Sequence, residues 1–262
     1  MVEKKISFKN NKGQKLIGII HIPDKNKKYP AVIICHGFKQ TKEQIIPLVL
    51  SRNLSVNGFV VLRFDFANWG ESDGHYSDMT FSQEIKDVDY ATKYLLKQKF
   101  VAKKKIGLAG LSLGGGVTLI ASANNPEIVK TVVAFSPAVD FYKIITKYFG
   151  KKDQIAKWKK GGYAYIYDQG RDIYWKFNLP FYYDSQKTKA LDYVDKIKCP
   201  VLMIQGTKDN AVSISDNKKF YNLLKAPKKI LLIKGGDHQY RQINALNKAI
   251  IEATNWFKKH LV

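Results

Sequence analysis

The sequence predicts an α/β fold, a mostly parallel, doubly wound sheet with helices on both faces. Three observations predict it. From residue 31 onward, short apolar runs alternate with segments of helical period. The runs are continuously apolar, as expected of strands covered on both faces. At 262 residues, the chain suits one such domain with a substantial core.

The elements follow in order. Residues 2–9 and 15–22 read as two strands around an Asn10-Asn11-Lys12-Gly13 turn. A polar loop from Pro23 to Pro30 precedes the run Ala31–Cys35, which ends in His36-Gly37-Phe38. A helix is expected from about Glu43 to Val56, stopped by Asn57-Gly58. The strand Phe59–Phe64 runs into a turn-rich loop, Asp65 to Gly74. Ser82 opens a helix to about Lys97, with Ile85, Val88, Ala91, Tyr94 and Leu95 on one face. The strand Lys105–Ala109, the turn Gly110-Leu111-Ser112-Leu113-Gly114 and a helix over Gly115–Ala123 come next. Val129–Phe135 is a further strand. After Cys199-Pro200 the expected order is a strand (Val201–Gln205), a helix (Ser213–Leu224), a strand (Lys229–Ile233) and a closing helix (Tyr240–His260).

Residues 138–190 break this rhythm and hold 14 of the 33 aromatic residues. Alternation in Gly162–Tyr167 and Asp172–Phe177, around Asp168-Gln169-Gly170-Arg171, predicts a hairpin. The segment is expected to be a lid inserted into a core formed by residues 1–137 and 191–262, within one domain.

Composition narrows the function classes. No apolar run approaches the ~20 residues of a bilayer span. The polar first residues contain no signal-peptide core, so a cytoplasmic location is expected. Cys35 and Cys199 are too few for a disulfide framework and lack metal-site spacing. The net charge is +22, yet only four of the 44 basic residues are arginines: Arg52, Arg63, Arg171 and Arg241. The lysines are spread along the whole chain, beside abundant Asn, Ile, Tyr and Phe. A compositional bias explains them more simply than a nucleic-acid partner, which calls for clustered charge and bidentate arginines.

The chemistry centres on Ser112. A strand, a sharp G-x-S-x-G turn and a helix form a nucleophile elbow, which strains the backbone and holds the serine hydroxyl out above the sheet. Serine needs an adjacent base, itself oriented by a third group. Asp209 follows one strand end and His238 the next, so all three side chains should meet at one edge of the sheet, where open α/β sheets bind ligands. Asp237 is a rival acid, but as the immediate neighbour of His238 it is awkwardly placed to reach the imidazole Nδ1. The backbone N–H groups of Phe38 and Leu113 are the expected oxyanion donors. His36 is expected to hold its loop rather than move protons, and no role is assigned to His21, His75 or His260.

Over nearly its full length the chain resembles the α/β-hydrolase superfamily, through the His36-Gly37-Phe38 turn, the Asp65–Gly74 loop, the Ser112 elbow, and the Asp209 and His238 loops. Within it, Phe64-Asp65-Phe66 with Gly70-Glu71-Ser72-Asp73-Gly74, and the aromatic lid after Ser136-Pro137, resemble bacterial cinnamoyl (feruloyl) esterases. The resemblance implies a serine carboxylic-ester hydrolase with a Ser112-His238-Asp209 triad, acting without metal or cofactor on a small-molecule ester. It also implies lid residues that bind the phenolic hydroxyl, with Tyr163, Tyr165, Tyr174 and Asp140 as candidates. A peptidase, an aminopeptidase-like enzyme or an acyltransferase on the same fold stays open. So do a non-catalytic binder, a polyanion-binding basic protein and a homodimer.

Overall fold

The computed structural model describes residues 1–149, 152–168 and 171–262. Strands β1 (Val2–Lys9) and β2 (Lys15–Ile22) form an antiparallel pair with the expected bounds. Asn10 fixes their turn, its side-chain oxygen accepting from the N–H groups of Lys12 and Gln14 at 2.9 and 3.1 Å. There follow β3 (Tyr29–Cys35), α1 (Ile45–Val56), β4 (Val60–Phe64), α2 (Phe81–Leu96), β5 (Val101–Leu111), α3 (Leu113–Asn124) and β6 (Val129–Phe135). After an insertion come β9 (Val201–Gly206), α7 (Ile214–Leu223), β10 (Lys228–Ile233) and α8 (Ile243–Leu261).

The eight-stranded sheet has the order β1-β2-β4-β3-β5-β6-β9-β10. β2 meets β4 antiparallel, and every later pairing is parallel. Period-two alternation within the apolar runs divides the core in two. Val32, Ile34, Leu111 and Phe135 face α1 and α8, where Leu50, Leu54, Ala249 and Phe257 are fully buried. Ala31, Ile33, Leu62 and Leu108 face α2 and α3, against Val88, Leu95, Val117 and Ile120. Each such Val, Leu, Ile or Phe side chain contributes roughly 1.5–3 kcal/mol by leaving water.

The start of α2 is set by a cap. Thr80 accepts from the Gln83 N–H at 3.3 Å, so α2 begins one residue before Ser82. The closing helix begins later than expected. Tyr240 stands in a left-handed turn (φ 54°), its ring fully buried and its hydroxyl donating to the Ile204 carbonyl at 2.8 Å.

The insertion between β6 and β9 contains α4 (Phe141–Phe149), α5 (Lys152–Gly161), β7 (Tyr163–Asp168), β8 (Ile173–Asn178) and α6 (Leu179–Lys187). β7 and β8 form the expected hairpin, pairing Tyr167 with Tyr174. Gln169 and Gly170 of its expected turn lie outside the described residues. The three helices are additions to the sequence reading. Phe141, Ile145, Trp158, Phe177 and Phe181 are buried in the same core as α2 and α3.

Candidate active site

The elbow follows from close packing. A Cβ on Gly110 would lie 2.3 Å from the Gly114 carbonyl oxygen, and one on Gly114 would lie 2.3 Å from the His36 carbonyl oxygen. No larger residue fits at either place. Between them Ser112 adopts φ 57°, ψ −116°, a conformation a side chain rarely takes unless its surroundings enforce it. Its N–H donates to the Phe135 carbonyl at 2.8 Å, and its carbonyl accepts from Ala138 at 2.9 Å and Gly116 at 3.1 Å. The strain is therefore held by β6 and by the first turn of α3, with the serine at the helix N-terminus.

Asp209 and His238 are brought together. His238 Nδ1 lies 2.9 Å from Asp209 Oδ2, so Nε2 is turned away from the carboxylate. The other carboxylate oxygen accepts from the N–H groups of Ala211 and Val212 at 3.0 and 2.9 Å. Burial alone would raise the pKa of Asp209. The hydrogen bond and charge of His238, the Val212 N–H and the Ser136 hydroxyl outweigh it, and the net shift is downward. The carboxylate is ionised and fixed although its side chain is fully shielded. Asp237 is occupied elsewhere, accepting from the Arg241 N–H at 3.0 Å in the turn before α8.

Ser112, Phe38 and His238 line one open cleft of about 520 Å³. Ser112, Phe38 and Leu113 also line a narrow apolar cavity of about 30 Å³, walled by Phe81, Phe141, Ile166 and Phe181. Leu113 is the first residue of α3, whose first-turn N–H groups have no intrahelical acceptor. The Phe38 loop is braced from beneath. His36 is buried, with Nδ1 2.9 Å from the Gly37 carbonyl and Nε2 accepting from the Phe66 N–H at 3.2 Å. Burial lowers its pKa, so it is a neutral strut. Gln40 accepts from the Gly37 N–H at 3.2 Å and donates to Gln239, beside His238, at 2.7 Å.

The Asp65–Gly74 loop is structural. Asp65 accepts from the N–H and Nζ of Lys42, both at 2.7 Å, and from the Glu71 N–H at 3.0 Å. Burial disfavours the Lys42 ammonium, but its hydrogen bonds to Asp65 and Glu71 prevail and raise its pKa. Sequence reading missed Lys42, Gln40 and Ser136, because nothing in their spacing distinguishes them from ordinary loop polar residues.

The candidate lid contacts do not line the cavities that hold Ser112. Tyr163, Tyr165 and Tyr174 are 45, 55 and 66% exposed. In the hairpin register Tyr165 pairs with Lys176 and Tyr167 with Tyr174 on the outer face, whereas Ala164 pairs with Phe177 and Ile166 with Trp175 on the inner one. The inner set meets the sheet: Phe177 lies 5.2 Å from the Phe38 ring, and Ile166 walls the narrow cavity. Asp140 accepts from the Lys143 N–H at 3.0 Å and so caps the start of α4.

The sequence profile of the prolyl oligopeptidase family matches residues 72–262. The chain belongs to that family. Its fold is that of the α/β hydrolases, and it is a hydrolase of that class. The family member resembles Est1E from Butyrivibrio proteoclasticus, solved with ferulic acid bound, with a TM-score of 0.86 and 26% identity over 97% of this chain and 98% of that one. An uncharacterised 31.7 kDa protein of Escherichia coli is 24% identical over 92% of this chain and 94% of its own length. The acylamino-acid-releasing enzyme of Rattus norvegicus is 25% identical over 91% of this chain, which spans 32% of that longer protein.

Among the described residues, no group of three or more His, Cys, Asp or Glu side chains is placed to hold a metal ion. No described helix is long and apolar enough to cross a membrane.

Proposed function

We propose that the protein is a serine carboxylic-ester hydrolase working through a covalent acyl-enzyme. Ser112 Oγ attacks the acyl carbon. His238 Nε2 takes the serine proton and returns it to the leaving alcohol, while Asp209 keeps the second imidazole proton on Nδ1. The N–H groups of Phe38 and Leu113 receive the oxyanion, each worth roughly 3 kcal/mol in the transition state. Water then attacks the acyl-enzyme, with His238 again as base, and the acid leaves. The observation that carries this reading is the 2.9 Å contact of His238 with Asp209 beside a cleft shared with Ser112 on its strained elbow.

The acyl group enters the narrow apolar cavity, and the alcohol lies in the open cleft. A cavity of about 30 Å³ favours short acyl chains, and a feruloyl ring enters only as the surrounding aromatic side chains shift. The insertion acts as a lid over the acyl side. The likeness to acylamino-acid-releasing enzymes favours a second reading, hydrolysis of aminoacyl amides.

A panel of p-nitrophenyl esters, methyl ferulate and aminoacyl p-nitroanilides tests both. The expected result is fastest turnover of short acyl esters, lost in Ser112→Ala. Preference for the anilides would replace the esterase reading with the peptidase one, and equal activity in Ser112→Ala would remove both.

A further inference from the structure

The loop that carries Phe38 is gripped by the hairpin of the insertion. Lys39 has φ 56°, a left-handed conformation that a residue with a Cβ keeps only when its neighbours hold it. Two residues at the hairpin tip supply that hold. Lys39 Nζ donates to Asp168 Oδ2 at 2.8 Å, and Arg171 Nη1 donates to the Lys39 carbonyl at 2.9 Å. Asp168 is itself fixed by the Trp175 indole N–H at 3.3 Å. The preceding residue is clamped as well, since the Phe38 ring stacks on Phe181 at 5.7 Å and tilts against Phe177 at 5.2 Å.

The pair has little work to do for global stability. The insertion is already anchored by Phe177, Phe181 and Trp158, all buried, and to that the partly buried Lys39–Asp168 pair adds one contact. Its effect falls on the torsions of the Phe38-Lys39 segment, and these aim the Phe38 N–H. We infer that Asp168 is a positioning residue. Acting through Lys39, it holds the Phe38 N–H in line with the developing oxyanion, so that hairpin docking and completion of the oxyanion hole are one event. The inference rests on the esterase reading. An oxyanion donor acts in the transition state and hardly at all on the bound ester, so misalignment lowers kcat and leaves KM nearly unchanged.

Steady-state hydrolysis of a short-chain p-nitrophenyl ester by Asp168→Asn, Asp168→Glu, Lys39→Met and the Asp168→Asn/Lys39→Met double variant tests it, with thermal melts alongside. The expected result is a fall of roughly tenfold or more in kcat for Asp168→Asn and for Lys39→Met, part of the loss known for removal of a whole donor. KM should stay within about twofold, and melting should be unchanged. Asp168→Glu should recover most of kcat, and the double variant should be no worse than either single one, as expected of residues acting as a unit. Wild-type kcat in Asp168→Asn, or a fall in kcat matched by a rise in KM and a lower melting temperature, would overturn the inference. Absence of Ser112-dependent turnover in the unmodified protein would instead overturn the esterase reading beneath it.

Discussion

Asp209 combines complete burial of its side chain with a lowered pKa. Against burial, the hydrogen bond and charge of the His238 imidazole, the Val212 N–H and the Ser136 hydroxyl achieve this. Asp209→Asn keeps the shape but offers an amide that can hold the wrong imidazole tautomer. We expect it to lower kcat by roughly 10³–10⁴ with the fold intact, checked by steady-state kinetics and circular dichroism. Retained activity would assign the orienting role elsewhere. Asp209 and His238 could be paired from sequence because each follows a strand end, and a parallel sheet delivers all such ends to one edge. Gln40 was not legible in that way. Its bonds to Gly37 and Gln239 join two loops far apart in the chain, and only packing reveals them.

Among the elements, β1, β2 and β6 have the bounds expected from their patterns, because turn residues and burial agree there. The insertion was legible only in part. Its alternation identified a hairpin, but both hairpin faces carry large rings, so the period of two could not say which face turns inward. The tyrosines face out, and Ile166 and Phe177 face in. Ile166→Ala should therefore enlarge the acyl cavity and shift the preferred p-nitrophenyl ester toward longer chains, read as a change in the ratio of kcat/KM values. An unchanged chain-length profile would show that the acyl group lies elsewhere.

At the other edge of the sheet, the His21 side chain is fully shielded on β2, with Nε2 accepting from Arg63 at 3.1 Å. Burial first of all, with the charges of Arg63 and Arg52 adding to it, lowers its pKa to about 4 against the pull of Glu3 and Glu43. An unfolded histidine titrates near 6.5, so between about pH 6.5 and 4 the unfolded chain binds the extra proton. Stability then falls as the pH drops through that window, by about 3 kcal/mol in total, and levels off below it. Urea unfolding across this range, compared with His21→Asn, checks the slope. The variant should show a flatter dependence.

For the whole molecule, charge is the dominant feature. A net +22 on 262 residues, with lysines spread along the chain, works against compactness by self-repulsion. Salt should relieve it, because the Debye length shrinks from about 30 Å at 0.01 M to about 10 Å at 0.1 M. The melting temperature should rise between 0.02 and 0.3 M NaCl, and a flat or falling trend would mean that the charges are already locally compensated. The broad architecture was readable because continuous apolar runs alternating with amphipathic helices leave few alternatives to a parallel, doubly wound sheet. The substrate was not readable, because the walls of the narrow cavity come from α2, α4, the β7–β8 hairpin and α6, which meet only after folding.

The central claim is that Ser112 is the nucleophile, activated by His238. Its most direct measurement is intact-mass and peptide-level mass spectrometry after treatment with a fluorophosphonate. One phosphonyl adduct per chain is expected, on the peptide containing Ser112, and it should be lost in both Ser112→Ala and His238→Ala. An adduct on another residue, or labelling of Ser112 that proceeds equally fast in His238→Ala, would contradict the account.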